Sequence, residues 1–356
     1  MELQEHFDAP GSRDWQTVDD GTVRFALVGL GWWTNDFVIP AVADSDLCTV
    51  TAVVSGSIEK AERVASDVGT VEASMTYDEF VDGEATESYD AVYIATPNSY
   101  HREYVEAAAR HGKDVLCEKP MGATVEDAEA MVDACDDAGV TLMVAYRMHT
   151  EPVVRLARRI VADGRIGDPR LVQGMNAQPL LEMNGDPGQW RLNSELTGYG
   201  TSVMDLGIYP LNTARFVLDA DPVAVQSMMS SEHEAFADVP DERATFAVRY
   251  DDGTYAAFGA SQNAFDTTSL DIVGTEGELT LKPAFHMETT LTVTTDDRTY
   301  EATVESADQM EEEFDYFANQ ILAGGDVYAD GRHGLLDMRT IAAIHNAADR
   351  DETIQL

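Results

Sequence analysis

Lysine is scarce in this chain: Lys60, Lys113, Lys119 and Lys282 stand against nineteen arginines. A sequence that has mostly replaced lysine keeps it where an ammonium is needed, so each of the four is a candidate for chemistry. Lys119 lies in Cys117-Glu118-Lys119-Pro120, at the end of an apolar run. A Glu–Lys pair there is costly to bury without a purpose, although a structural ion pair is the plainer alternative. The segment Gly198–Asn212 carries Asp205 and Tyr209, four residues apart and so on one face of a helix. Pro210 works against that helix, and a glycine-rich helix start with an apolar tyrosine is the plainer reading. Taken together, Lys119 and Tyr209 form a proton-transfer pair. An ammonium beside a phenol favours the phenolate and brings it towards the working range. Which of the two accepts the proton is left open.

A second set of residues is suited to a dinucleotide. Gly29-Leu30-Gly31-Trp32-Trp33-Thr34 follows an apolar run and precedes a helical pattern. In that context Gly29 allows the tight turn, Gly31 lets a pyrophosphate approach the backbone, and the helix N-terminus offers free N–H groups. Thr34 replaces the third glycine. Trp32 and Trp33 are of a packing type, but directly after the glycines they are placed to cover a cofactor. An NAD site wants an acid at the end of the second strand. Here Ser55, Gly56 and Ser57 stand there, with Lys60 following, a composition suited to a 2′-phosphate and hence to NADP. The third strand ends in Thr96-Pro97-Asn98-Ser99-Tyr100-His101, where His101 either caps the next helix or touches the cofactor. Cys117 reads as buried filling. No HExxH or Cys/His cluster is present, so no metal is expected.

The elements that must position these residues follow from periodicity. Residues 22–29, 49–54, 89–96, 114–119 and 140–146 are apolar, β-branched runs. Helical patterns lie between them at about 36–44, 58–68, 76–82, 99–112 and 124–138. That alternation predicts an α/β fold: an N-terminal Rossmann domain, a doubly wound parallel sheet, over 22–148. After a helix at about 151–164, strand-like runs with hairpin signals at Asp252-Gly253 and Asp296-Asp297 predict a mostly antiparallel open sheet. Helices at about 308–323 and 333–349 complete a C-terminal α+β domain over 149–356, the substrate-binding part. Residues 1–21 read as an irregular arm.

Composition bounds the partners. The chain has 356 residues and a formal charge of −42, with 44% hydrophobic residues, enough for ordinary cores. Such a surface repels nucleic acid and anionic membranes. Acid-rich and lysine-poor, it suits high salt, where screening relieves self-repulsion. Three cysteines without motif spacing make a disulfide framework unexpected. The N-terminus shows no secretory pattern, so a reducing cytoplasm is expected.

The motifs Gly29-x-Gly31, Thr96-Pro97-Asn98-Ser99-x-His101, Glu118-Lys119-Pro120 and Asp205-x-Gly207-x-Tyr209 together resemble the Gfo/Idh/MocA oxidoreductase family. The likeness spans about residues 22–356. Tyr146–Pro152 and Gln189–Asn193 are similar to its glucose–fructose oxidoreductase and dihydrodiol dehydrogenase branch, which carries tyrosine at the position of Tyr209. The resemblance implies a nicotinamide cofactor, with Ser55, Gly56, Ser57, Lys60 and Tyr77 holding the 2′-phosphate of NADP. It further implies that Arg147, Trp190 and Arg191 contact the cofactor, that Lys119 and Tyr209 are catalytic, and that Asp205 helps place a sugar. The activity so implied is NADP-dependent oxidation of a free aldose at C1, D-xylose to its 1,5-lactone. A sugar-ketone reductase or trans-dihydrodiol dehydrogenase is the alternative, and a non-catalytic NADP-binding regulator a remote one. The open sheet of such proteins commonly mediates homo-oligomers.

Overall fold

The computed structural model describes residues 3–7, 13–186, 188–286, 288–296, 298–303 and 308–356. By contacts the chain divides into two units. One comprises residues 14–147 and 308–338, the other 1–13, 148–307 and 339–356.

In the first unit six parallel strands form one sheet: β1 (Val23–Val28), β2 (Cys48–Val54), β3 (Ala73–Met75), β4 (Ala91–Ile94), β5 (Asp114–Glu118) and β6 (Leu142–Ala145). Their order is β3-β2-β1-β4-β5-β6, so the sheet reverses between β1 and β4, the place where such sheets bind ligands. β3 is an edge strand of three residues and too short to show in the periodicity. Helices Ile58–Asp67 and Val125–Ala138 start on Ser57 and Thr124, whose side chains accept backbone N–H bonds. Tyr77–Asp82 starts on a full capping box between Thr76 and Glu79. The helix expected over 36–44 begins as a π turn, Thr34–Val38, and becomes α-helical only at Ile39.

The helix Gln309–Ala323 packs in this unit, although the sequence division placed it in the C-terminal domain. The reason is apolar matching: Phe314 meets Phe25 of β1 at 4.9 Å and Tyr93 of β4 at 5.0 Å between ring centroids. The arm is likewise less irregular than expected. Trp15 is buried edge-on against Tyr316, and the backbone N–H groups of Thr17 and Val18 both donate to Asn319 Oδ1, at 2.8 and 3.0 Å.

The second unit holds a nine-stranded sheet: β7 (Pro169–Pro179), β8 (Pro222–Ser230), β9 (Arg243–Tyr250), β10 (Tyr255–Ser261), β11 (Asn263–Gly274), β12 (Gly277–Leu281), β13 (Thr290–Thr295), β14 (Thr299–Thr303) and β15 (Ile354–Gln355). The order is β14-β13-β12-β11-β7-β10-β9-β8-β15, antiparallel throughout except for the pair β7/β10. The Asp252-Gly253 turn joins β9 to β10, with Gly253 at φ +91°. Asp297 of the other expected turn lies outside the described residues. Alternation sets the faces. Val172, Phe246, Val248 and Phe258 point into the core, while Leu171, Met175 and Tyr255 are exposed on the other side. At the start of the chain, the helix Leu3–His6 places His6 Nε2 3.2 Å from Asp163 Oδ2.

Candidate active site

The glycine turn of the first unit is built for close approach. Gly29 sits at φ +99°, and a Cβ there would lie 2.4 Å from the Ala95 carbonyl oxygen, so only glycine fits. Gly31 is exposed, and a Cβ there would meet nothing within 4 Å, leaving its backbone open to a ligand. Thr34, in the third glycine's place, is fully buried and donates its hydroxyl to the Gly29 carbonyl at 2.7 Å. It thereby fastens the turn that a glycine would merely permit. Trp32 is exposed at 58%, whereas Trp33 stacks on Phe37 and lies under the Arg147 guanidinium.

At the end of β2, Ser55 is buried and Ser57 caps the helix carrying Lys60. The Ser57 hydroxyl donates to Glu59 Oε2 at 2.7 Å. Tyr77 stands beside Gly56, where a Cβ would lie 3.3 Å from its ring, and stacks on Tyr104. Burial pushes the Tyr77 hydroxyl up, against a backbone hydrogen bond from Gly56. At the end of β4, Pro97 leads into a 3₁₀ turn whose Asn98 is buried. The Thr96 hydroxyl is buried without a protein partner, an orphan beside the glycine turn that a ligand oxygen would satisfy. These features fit a dinucleotide.

His101 corrects an expectation. It is fully buried, with Nδ1 3.1 Å from the Pro120 carbonyl and Nε2 2.9 Å from the Thr96 carbonyl. It ties the loop after β4 to the loop after β5 and presents no face to a cofactor. The lysines also separate: Lys113 donates to the Thr86 and Tyr89 carbonyls, both at 2.7 Å, and is structural.

Glu118 ends β5 and accepts from the Tyr93 hydroxyl at 2.8 Å and from the Lys119 backbone N–H at 3.0 Å. Both oxygens accept, an arrangement that favours the ionised form. Burial pushes its carboxyl above the usual range, opposed first by the Lys119 charge. Glu313, on the helix Gln309–Ala323, is fully buried with neither oxygen hydrogen-bonded. Burial, then the charge on Glu118, push it far up, so it holds its proton. Arg147 lies among these carboxyls and donates to Gln309 Oε1 at 2.6 Å.

In the second unit a π turn, Val203–Gly207, precedes the helix Ile208–Leu218, so the interval from Asp205 to Tyr209 is not one regular α turn. Asn176 of β7 donates to the Leu206 carbonyl at 3.2 Å, where Pro210, four residues on, has no N–H to offer. Asp205 and Tyr209 are both half-buried, and Tyr209 lies against Phe285. Asp205 Oδ2 accepts from Arg191 Nε and from Gln262 Nε2, each at 2.9 Å. Gln178 donates to Gln262 at 2.7 Å and fixes its amide. The Arg191 guanidinium also covers the Trp190 ring. Asp205 and Arg191, expected on different ligands, are therefore partners of each other.

Sequence reasoning missed Glu313, Gln262 and Gln178. Glu313 left a trace: it is an acid at helical spacing from Met310 and Phe317, on the buried face. The glutamines belong to no motif.

Residues 23–146 match the GFO_IDH_MocA family, an oxidoreductase family with an NAD-binding Rossmann fold, and residues 154–280 match the GFO/IDH/MocA C-terminal domain. The chain belongs to the GFO/IDH/MocA oxidoreductase family. It is 51% identical to a D-xylose 1-dehydrogenase [NADP(+)] of Haloarcula marismortui, over 97% of this chain and 96% of that protein. It is 31% identical to D-xylose 1-dehydrogenase (NADP(+)) 2 of Haloferax volcanii, over 94% of this chain and all of that protein. Among solved structures, an aldose–aldose oxidoreductase from Caulobacter crescentus, complexed with glycerol, superposes with a TM-score of 0.86 at 32% identity. That match covers 94% of this chain and 100% of the other. As a GFO/IDH/MocA enzyme the chain is an oxidoreductase. Among the described residues no helix is long and apolar enough to cross a membrane, and no group of three potential metal-binding side chains gathers.

Proposed function

We propose that this enzyme oxidises D-xylose at C1 to D-xylono-1,5-lactone with NADP as its cofactor. The observation that carries the reading is 51% identity, over nearly the whole chain, to a D-xylose 1-dehydrogenase [NADP(+)]. It is supported by the acid-free turn Ser55-Gly56-Ser57 ahead of Lys60.

Gly29 and Gly31, with the backbone that follows them, would hold the pyrophosphate, and Ser55, Gly56, Ser57, Lys60 and Tyr77 the 2′-phosphate. Thr96, Pro97 and Asn98 would line the ribose side, with Trp32, Trp33, Glu118, Arg147 and Trp190 about the nicotinamide end. When bound, NADP⁺ supplies the hydride acceptor. Oxidation of a cyclic hemiacetal also removes the O1 proton. Tyr209 accepts that proton, and the Lys119 ammonium orients O1. Asp205, held by Arg191 and Gln262, accepts a sugar hydroxyl. Glu118 keeps a negative charge beside Lys119, while the proton on Glu313 prevents a second buried charge there. A free sugar also suits a surface that repels sugar phosphates.

The exposed apolar face around Leu171, Met175 and Tyr255 supports a homo-oligomer formed through this sheet. Light scattering on Leu171→Glu, expected to yield monomers, checks the interface. A panel of free aldoses assayed for NADPH formation at molar salt tests the function. D-xylose should lead and D-glucose follow weakly, since crowding one hydroxymethyl group discriminates by only ~1–3 kcal/mol. Turnover of a sugar ketone or a trans-dihydrodiol, with none of xylose, would replace the assignment.

A further inference from the structure

Asp241 precedes β9 and is fully buried, yet it belongs to no motif and lies 38 or more residues from the segment it touches. Its Oδ1 accepts the Thr201 N–H at 2.6 Å and its Oδ2 accepts the Val203 N–H at 2.7 Å. Between them, the Ser202 hydroxyl donates to the Glu242 carbonyl at 2.8 Å and accepts the Gln262 N–H at 3.0 Å. Gln262 in turn donates to Asp205. Gly200 completes the fit: a Cβ there would lie 2.3 Å from Asp241 Oδ1 and 2.7 Å from the His345 ring. The clamped backbone leads directly into the π turn that carries Asp205 and, one turn on, Tyr209.

We infer that Asp241 is a positioning residue for the reaction: its carboxylate, by gripping the N–H groups of Thr201 and Val203, sets the turn from which Asp205 and Tyr209 reach the sugar. The inference rests on the reading that these two residues handle the substrate. The ionised side chain does this best. A protonated acid accepts more weakly on its hydroxyl oxygen, and an amide sets its NH2 against one of the two N–H groups. Among the described residues, the titratable groups facing Asp241 are few. His345, from the helix Gly331–Arg350, places Nε2 4.0 Å from Oδ2, has no hydrogen-bond partner there, and stacks on Tyr199. Burial holds His345 down to about 4, so it is neutral near pH 7. The neighbouring Glu242 carboxylate is turned to the N–H groups of Glu232 and His233 and to Asn263, with Arg243 3.8 Å away. Burial raises Asp241 itself to about 7, against its backbone donors. The grip therefore loosens as the pH falls through neutrality.

The test compares Asp241→Asn and Gly200→Ala with the parent. At pH 8 each variant should lose at least tenfold in kcat/KM for D-xylose while NADPH affinity, read by fluorescence titration, stays within threefold. Amide exchange of residues 201–205 should quicken at least tenfold, and the acid limb of the parent's activity should be absent in Asp241→Asn. In the parent, exchange protection of the same amides, corrected for intrinsic rates, should fall below about pH 7, a measurement that needs no variant to fold. Parental kinetics and protection in Asp241→Asn, or flat protection in the parent from pH 8 to 6, overturns the inference. If Tyr209→Phe keeps parental turnover, the reading of Tyr209 as the proton acceptor fails, and the exchange data alone still decide whether Asp241 holds the turn.

Discussion

Arg191 Nε lies 2.9 Å from Asp205 Oδ2, so the guanidinium and the carboxylate are bound to each other. The pair has a consequence for kinetics. Arg191→Lys removes the fork geometry that matches a carboxylate and leaves a point charge. Asp205 then keeps the Gln262 bond but loses the guanidinium that helps to hold it. KM for D-xylose should rise about tenfold, worth ~1.4 kcal/mol, with KM for NADP within a few-fold of the parent. A rise confined to the NADP KM would instead place Arg191 on the cofactor.

Tyr209 is the proposed proton acceptor. Tyr209→Phe keeps the ring against Phe285 and deletes only the hydroxyl. Its kcat should fall by ~10²–10⁴, the usual share of general acid–base catalysis, with NADPH affinity within a few-fold. Retention of most of the parent kcat would move the proton to Lys119.

The proposed 2′-phosphate site lies at the end of β2. Ser55→Asp combined with Lys60→Ala supplies the acid that an NAD site wants and removes a cation. The ratio of kcat/KM for NADP over NAD should drop at least tenfold, or ~1.4 kcal/mol. An unchanged ratio in the double variant counts against the 2′-phosphate site.

Two buried groups give opposite pH dependences of stability. His345 is lowered from 6.5 to about 4 in the folded chain. Its neutral form therefore stabilises the fold fully above about pH 6.5, and this is lost as the pH falls towards 4. At ~1.36 kcal/mol per unit the loss is on the order of 3 kcal/mol. Asp241 is raised from 3.8 to about 7, so its contribution is full below about pH 4 and is lost as the pH rises towards 7, by a similar order. Relative to the parent, His345→Gln should gain stability as the pH falls from 7 to 4, and Asp241→Asn should lose it. Denaturant titrations at pH 7, 5.5 and 4 check the signs, and parallel curves for all three proteins would refute them.

Much of the fold was readable because its signals are local. Buried strands ending in glycine, Thr-Pro-Asn or Glu-Lys-Pro, and helices started by Ser57, Thr76 and Thr124, announce themselves within ten residues. The helix Gln309–Ala323 was readable as a helix but not as a part of the first unit. Its partners Phe25 and Tyr93 lie more than 200 residues away, and amphipathicity does not name the surface that a helix covers. The same limit hid Asp241 and Gln262. Their role is to accept and donate across the fold, and Asp and Gln in an acid-rich chain carry no mark of it. His101 stood in a motif, but a motif gives a position and not an orientation, and the ring turned inward to two backbone carbonyls.

The claim that the enzyme transfers hydride from C1 of D-xylose is tested most directly with D-xylose deuterated at C1. The purified enzyme, NADP⁺ and the labelled sugar are incubated at molar salt, and the reduced cofactor and sugar product are weighed by mass spectrometry. One deuterium in each NADPH formed, and an unlabelled 1,5-lactone produced in equal amount, is the expected result. NADPH without deuterium, or a product that keeps the label at C1, would contradict it.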